Sequence, residues 1–457
     1  METHHHKRSA FSGKLGFVLS AAGASVGLGN IWRFPYLAAK YGGGIFLLIY
    51  IILAFTFGYT MIMAETALGR MTKKSPVGAF SAFGKGPGLS FGGWINAIIP
   101  ILIVPYYSVI GGWVIKYLVE YLRGGGSALA QDGYFSGFIS NGVSVELCFL
   151  AFTLFTLAII FAGVRNGVER VSKCMMPVLA VLSVIIAVYS VTRPGALAGV
   201  KYFLVPNLDN FSWMTVVSAM GQMFYSLSIA MGILITFGSY MKKDVSIESS
   251  TTNVEIFDTA IAIMAGLMII PAVFAFSGGD PDTLQAGPAL MFITIPKVFD
   301  SMGMGTVVGV LFFVLVLFAA VTSSIALTES AVSTFEDELG WKRHKSTLLI
   351  GVIMVALGSL SALGYGPLGE VTVFGMQFLD LFDFLTNSVM MPIAAIAICL
   401  LVSRVIGVEK IEEEVTQEGG RFRRKAIFNF MIRYLCPLFA AIILVSSVAN
   451  ALGWIKM

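Results

Sequence analysis

Charge is what this sequence has least of: 12% of its 457 residues are charged, against 57% that are hydrophobic, and the mean hydropathy is +0.84. A water-soluble chain of this length cannot hide so much apolar surface in one core, so the solvent implied is a bilayer. Cysteine is scarce as well. The four present, Cys148, Cys174, Cys399 and Cys436, fall in or beside apolar runs without paired spacing, so neither a disulfide nor a metal site is expected. Three of the four histidines stand together at His4 to His6, leaving His344 alone. With no metal-ligand pair and no nucleophile elbow, a membrane enzyme is not expected. The net charge is only +4, and most Lys and Arg sit in short clusters between apolar runs. That pattern speaks for membrane orientation and against a nucleic-acid partner. Met1 to Arg8 is followed by no separate cleavable apolar segment, so no signal peptide is expected.

What is abundant is long apolar runs. A helix rising 1.5 Å per residue needs about 20 residues to cross the hydrocarbon, and roughly eleven stretches qualify. They are continuously apolar rather than alternating, which predicts an all-α membrane protein and excludes a barrel. With a cytoplasmic N-terminus, roughly 22 of the 30 basic residues fall on the inside, which sets the orientation. The reading divides into residues 1–192 (the first five spans), 193–403 (the next five) and 404–457 (a cytoplasmic link and the last span), all one functional unit. The stretch Glu409–Lys425, acidic and then basic, reads as a solvated link. Ser277–Pro296, with Gly278, Gly279, Pro281, Gly287 and Pro288, reads as a long external loop able to cap a pathway.

Two spans cannot be plain helices. The first carries Gly23-Ala24-Ser25-Val26-Gly27-Leu28-Gly29-Asn30 at mid-depth, and the sixth carries Gly221-Gln222-Met223-Phe224-Tyr225-Ser226-Leu227-Ser228-Ile229-Ala230-Met231-Gly232, five spans later. Small residues also permit close helix packing, so glycines alone leave the matter open. Asn30 and Ser226 favour a break, because polar groups at that depth need partners. Interruptions at corresponding positions of two halves are the pointer to an inverted-repeat transporter. The physics is specific: an unwound turn frees carbonyls for a dehydrated cation, while the half-helix starting near Leu28 aims its N–H groups at an anion. A zwitterionic amino acid meets both demands.

The segments Gly27-Leu28-Gly29-Asn30-Ile31-Trp32-Arg33-Phe34-Pro35, Gly42-Gly43-Gly44, Gln222-Met223-Phe224-Tyr225-Ser226-Leu227-Ser228 and Thr322-Ser323-Ser324 resemble the neurotransmitter:sodium symporter family, bacterial amino-acid branch. The resemblance covers nearly the whole chain. It implies the five-plus-five inverted-repeat fold with discontinuous first and sixth helices, and sodium-coupled import of an L-amino acid by alternating access. Two sodium ions would travel with the substrate, without chloride and without an obligate protein partner, across the plasma membrane.

Site residues follow from the same resemblance. The first sodium site would take Ser25, Asn30, Ser226 and Asp258, the last standing where many members carry Asn. A fixed carboxylate there would supply the charge that chloride supplies in animal relatives; a register shift of Asp258 toward a cytoplasmic vestibule is the competing reading. The second site would take the carbonyls of Gly23, Val26 and Ala319 with the hydroxyls of Thr322 and Ser323, although such hydroxyls often bond back onto their own helix. The substrate pocket would comprise Ala24, Ser25, Leu28, Gly29, Ile103, Tyr107, Tyr225, Ser226, Ser228, Met231, Ser323 and Leu327. Monoamine carriers place Asp where Gly27 stands, so Gly27 implies an α-amino acid, and flexible Met231 suits several apolar or aromatic side chains. Arg33 with Asp383 would form the outer gate and Arg8 with Asp337 the inner ion pair. Trp32 would control water access at the cytoplasmic end together with the segment between Gly167 and Pro177, which have nine residues between them and whose spacing resembles a motif for unwinding the cytoplasmic end of the fifth helix. A channel would want a ring of like residues instead. A proton-coupled carrier of the same fold would replace the second sodium with a titrating residue or a lysine, against which Thr322 and Ser323 argue.

Overall fold

The computed structural model describes residues 9–280, 284 and 287–454, and among them nine helices are long and apolar enough to cross a membrane. They are Gly44–Thr72, Pro87–Leu122, Gly142–Phe161, Val164–Val191, Ile247–Ser277, Gly305–Leu339, Arg343–Leu363, Phe378–Ile406 and Lys425–Ala451. The pair Lys14–Ser25 and Gly29–Lys40, bent by 54° at a short break, makes a tenth. Counting Trp213–Ser226 with Ile233–Tyr240 as one interrupted span gives the expected set, and these are called the first to the eleventh spans in chain order.

The third and eighth spans lie along one another and, with the fourth and ninth, form a frame. Against it stands a second group in which the lower half of the first span packs on the seventh and the lower half of the sixth packs on the second. Where the groups meet, the first and sixth spans are interrupted. The lower half of the first span closes on Val26, whose N–H still reaches Ala22 O at 2.7 Å while its own backbone is extended (φ −73°, ψ 94°). Asn30 then staples the restart: its Oδ1 accepts from Gly27 N at 3.3 Å and its own N–H donates to Gly27 O at 3.2 Å.

The sixth span breaks more severely. Ser228 (φ 52°), Ala230 (φ 58°) and Gly232 (φ 70°) all occupy the left-handed region, which costs a residue with a Cβ of order 1–3 kcal/mol unless its surroundings compel it. The compulsion is visible. Ser228 Oγ donates to Ala24 O at 2.9 Å, and the Ala230 N–H donates to Glu65 Oε1 at 2.7 Å. The sixth-span interruption is thus held partly by the first span and partly by a carboxylate of the second.

Within the loop before the eighth span, Leu290–Thr294 and Ile295–Asp300 are helical turns, and Phe292 is buried among Trp113, Tyr117, Phe135 and Phe313. The link Glu409–Lys425 departs from the sequence reading: it is not a solvated tether. Its helix Val408–Thr416 buries Val408, Ile411, Glu414 and Val415, because an apolar stripe at helical spacing finds a surface to cover. Buried Arg70 fastens it, donating to Glu414 Oε1 at 2.6 Å and to Val245 O at 2.7 Å.

Candidate functional site

The two interruptions face each other across a small pocket lined by Ala24, Ser25, Gly27, Leu28 and Gly29, by Ile103 and Tyr107, by Tyr225, Ser228 and Met231, and by Ser323 and Leu327. Every expected substrate residue is there except Ser226, which turns away toward Asp258 at 2.8 Å. Tyr107 Oη accepts from the Leu28 N–H at 3.3 Å, placing a hydroxyl at the start of the upper half-helix. A Cβ at Gly27 would lie 2.8 Å from Ser323 Oγ and 3.0 Å from Tyr107 Oη, and one at Gly29 would overlap the Tyr225 ring. Glycine at both is a packing requirement. The open space is about 30 Å³, room for a water-sized guest. A larger ligand enters only as Tyr225, Met231 or Leu327 swings aside.

Next to the pocket, Asn30, Ser226 and Asp258 come together, all fully buried. Asn30 Nδ2 donates to Asp258 Oδ1 at 2.8 Å and Ser226 Oγ to Oδ2 at 2.8 Å. Asp258 therefore faces the interruption and not a cytoplasmic vestibule. Ser25 is the last helical residue before that break, its Oγ donating back to Ala21 O at 3.1 Å. This is an oxygen-rich cluster with one fixed negative charge, which suits a hard monovalent cation better than any soft or redox metal.

The second cluster lies between the first and eighth spans and carries no ionised group. Ser323 Oγ is 3.2 Å from Gly23 O, 3.2 Å from Ala24 O and 3.4 Å from Val26 O. Thr322 Oγ1 bonds back onto its own helix, donating to Phe318 O at 2.9 Å and lying 3.3 Å from Ala319 O, and a Cβ at Gly23 would approach Thr322 Cβ to 3.0 Å. Carbonyl and hydroxyl oxygens from two helices thus converge on one spot, the donor set that unwound backbone offers to sodium. Among the described residues no group of three or more His, Cys, Asp or Glu could hold a metal ion.

Arg33 and Asp383 line a common vestibule of about 440 Å³ with Trp32, Tyr36, Tyr225, Gly287 and Pro288. They do not touch. Arg33 lies 5.3 Å from the centre of the Tyr225 ring, while Asp383 accepts from Asn387 at 2.6 Å and Tyr106 at 3.2 Å. Trp32 requires a correction: it belongs to the vestibule beside Arg33, not to the end bearing the N-terminal segment, because the chain has already passed the break at Val26–Leu28. Arg8 lies outside the described residues. Its expected partner Asp337 accepts from Ser75 N at 2.6 Å. The fifth span is helical from Val164 through Val191, with a widened turn at Val164–Glu169 that includes Gly167, and Pro177 sits inside the regular helix.

Three residues of the site went unread in the sequence. Glu65 is fully buried and holds the sixth-span interruption; a lone carboxylate mid-span was the available signal. Tyr50 donates to Ser226 Oγ at 2.9 Å, and Gln222 Nε2 donates to Gly29 O at 3.0 Å. Tyr50 has no local signal, and Gln222, although it lies in the sixth-span motif, shows nothing locally of its partner in the first span.

A helical bundle with two apposed broken spans, an oxygen-lined pocket and two flanking oxygen clusters defines a secondary transporter. The chain belongs to the sodium:neurotransmitter symporter family, which it matches over residues 8–125 and 136–454. It is 34% identical to an uncharacterized sodium-dependent transporter of Bacillus subtilis, covering 95% of this chain and 96% of that relative. An uncharacterized sodium-dependent transporter of Haemophilus influenzae is 31% identical, over 98% of this chain and 100% of its own. The sodium- and chloride-dependent GABA transporter 2 of Macaca fascicularis is 27% identical over 94% of this chain and 77% of the relative. Among solved structures, MhsT in complex with L-phenylalanine superposes with a TM-score of 0.86 at 34% identity, over 96% of this chain and 100% of that one. The protein is therefore a multi-pass membrane transporter of the sodium-coupled symport class.

Proposed function

We propose that this protein imports an L-amino acid with an apolar or aromatic side chain, together with two sodium ions and without chloride. The observation that carries the reading is the apposition of the two interruptions around one pocket. The N–H groups of Leu28 and Gly29 and the Tyr107 hydroxyl form the end suited to a carboxylate, and main-chain carbonyls form the end suited to an ammonium. Ile103, Met231 and Leu327 offer apolar walls to the side chain. That MhsT is seen with L-phenylalanine accords with this.

Coupling follows from a shared ligand. In this account the substrate carboxylate completes the oxygen shell begun by Ser25, Asn30, Ser226 and Asp258, so sodium and substrate each strengthen the other's binding. The second ion sits on Gly23, Val26, Ala319, Thr322 and Ser323 and ties the first span to the eighth. Two cations moving with a net-neutral amino acid draw about 2 × 2.3 kcal/mol from a 100 mV potential, enough for roughly a thousandfold accumulation. Asp258 brings its own negative charge to the first site, which supports independence from chloride, in contrast with the chloride-dependent relative.

Access alternates as the group built on the first, second, sixth and seventh spans rocks against the frame. Arg33 and Asp383 close above the pocket from the outside, with Tyr225 as lid. Arg8 and Asp337 close the cytoplasmic side, and the Gly167-to-Pro177 segment admits water there. The N-terminus is cytoplasmic and the membrane is the plasma membrane. The test is uptake into proteoliposomes from a panel of amino acids, with sodium and chloride each replaced in turn. Uptake of apolar or aromatic amino acids that needs sodium and ignores chloride supports the proposal; uptake that follows pH instead of sodium, or stops without chloride, contradicts it.

A further inference from the structure

Away from the transport pathway, the end of the link, Gln417–Arg424, folds over the start of the seventh span and encloses with it a cavity of about 540 Å³. The charged groups on its walls are of two kinds. Glu248 and Arg424 are already occupied. Glu248 accepts from the backbone N–H of Arg423 at 2.8 Å and of Arg424 at 3.3 Å, and from the Tyr59 hydroxyl at 3.2 Å. Arg424 grips Glu255 through two nitrogens at 3.0 and 2.7 Å, donates to Thr252 at 2.9 Å and stacks 3.5 Å from the Tyr59 ring centre.

The side chains of Lys243, Arg421 and Arg423 are the second kind. All three are exposed on the cavity wall and have no ion-pair partner among the described residues. Lys14 adds a fourth cation, its Nζ 2.6 Å from Ser249 Oγ on the same wall. Against them stand Asp244, Glu418 and Glu248, the last hydrogen-bonded but without a cation partner among the described residues, which leaves one cation over. A cation left over after the local acids are counted marks a site for an anion with several acceptor oxygens, and Arg presents its donors in the planar fork that phosphate matches.

Apolar exposure decides the source of the phosphate. Ile256, one turn along the seventh span from Thr252, is 50% exposed, and Ile427, just beyond Arg424, is 38% exposed. Both belong to membrane-spanning helices, so the cavity mouth sits where headgroups give way to acyl chains. We propose that this cavity binds the phosphate of an anionic phospholipid, whose acyl chains run along Ile256 and Ile427, bracing the link against the second and seventh spans.

The test uses the full chain in neutral detergent, with dioleoyl-phosphatidylglycerol titrated in and the bound lipid counted by native mass spectrometry. One saturable copy is expected. A basic side chain near an anionic surface is worth roughly fivefold in affinity, so Arg421→Gln with Arg423→Gln weakens it about 25-fold and exposed Lys243→Gln alone about fivefold. Arg404→Gln with Lys410→Gln removes the same charge from exposed positions that do not line the cavity, and leaves binding unchanged. Equal losses in the two double variants, or no saturable copy, would overturn the proposal as mere surface attraction. Displacement of the lipid by equimolar inorganic phosphate would overturn it in favour of a free-anion site.

Discussion

The two oxygen clusters beside the central pocket are built from the same two kinds of donor, yet only one contains a charge. In the first, Asp258 is held between Asn30 and Ser226, each at 2.8 Å. In the second, Thr322 and Ser323 meet carbonyls of Gly23, Val26 and Ala319 with no carboxylate. A charged cluster keeps its attraction for a cation whichever way the helices tilt. A neutral cluster spanning two helices attracts a cation only while those helices are correctly spaced. On the proposed reading, the difference separates the tasks of the two sodium ions: the first is tied to the substrate and the second to the conformation.

Each prediction presses on that division, beginning with the largest effect. Asp258→Asn removes the only charge of the first cluster, and losing one partner of a buried polar network costs about 3 kcal/mol, so sodium-supported substrate binding falls roughly a hundredfold. Binding recovers in part when chloride is added, measured by scintillation proximity with and without the anion; unchanged binding would erase the distinction between the clusters. Glu65→Leu removes the acceptor of the Ala230 N–H that holds the sixth-span interruption, leaving a buried donor unpaired at about 1.5 kcal/mol, so substrate affinity drops about tenfold. Sodium affinity measured without substrate should change far less.

Ser323→Ala takes one neutral oxygen from the second cluster and is expected to raise the half-saturating sodium concentration about fivefold, near 1 kcal/mol. Its signature is a shift toward the conformation open to the N-terminal side, read by cysteine accessibility, which Asp258→Asn should not produce. The smallest effect belongs to Met231→Leu, a change of similar volume in the pocket wall. It alters affinities by less than about tenfold and narrows the range of side chains accepted, because the unbranched thioether adapts and Leu does not.

Much of this arrangement was legible in the sequence because membrane physics leaves few alternatives. Polar and glycine-rich residues at mid-depth in the first and sixth spans signalled broken helices, and the resemblance carried Asn30, Ser226, Asp258, Thr322 and Ser323 to positions that the fold brings together as two clusters. Trp32 was assigned to the wrong end because its role was inferred by association with cytoplasmic elements, when its place after the break fixes it beside Arg33. Glu65 and Tyr50 escaped notice because each acts on a distant span, and no local pattern records a partner 165 or 176 positions away. The link was misjudged on its charges. Its buried apolar residues, Val408, Ile411 and Val415, form a stripe too short to stand out beside the six charged or polar side chains of the same helix, and Arg70, which fastens it, lies in another part of the chain.

The account turns on the substrate's own carboxylate belonging to the first sodium shell, and one comparison tests this directly. Binding of L-phenylalanine and of phenethylamine, which has the same ring and ammonium but no carboxylate, is measured by calorimetry across a sodium series. Sodium should raise affinity for the amino acid steeply and leave the amine weak and nearly insensitive to the ion. Equal sodium dependence for both ligands would mean that coupling runs through some route other than a shared carboxylate.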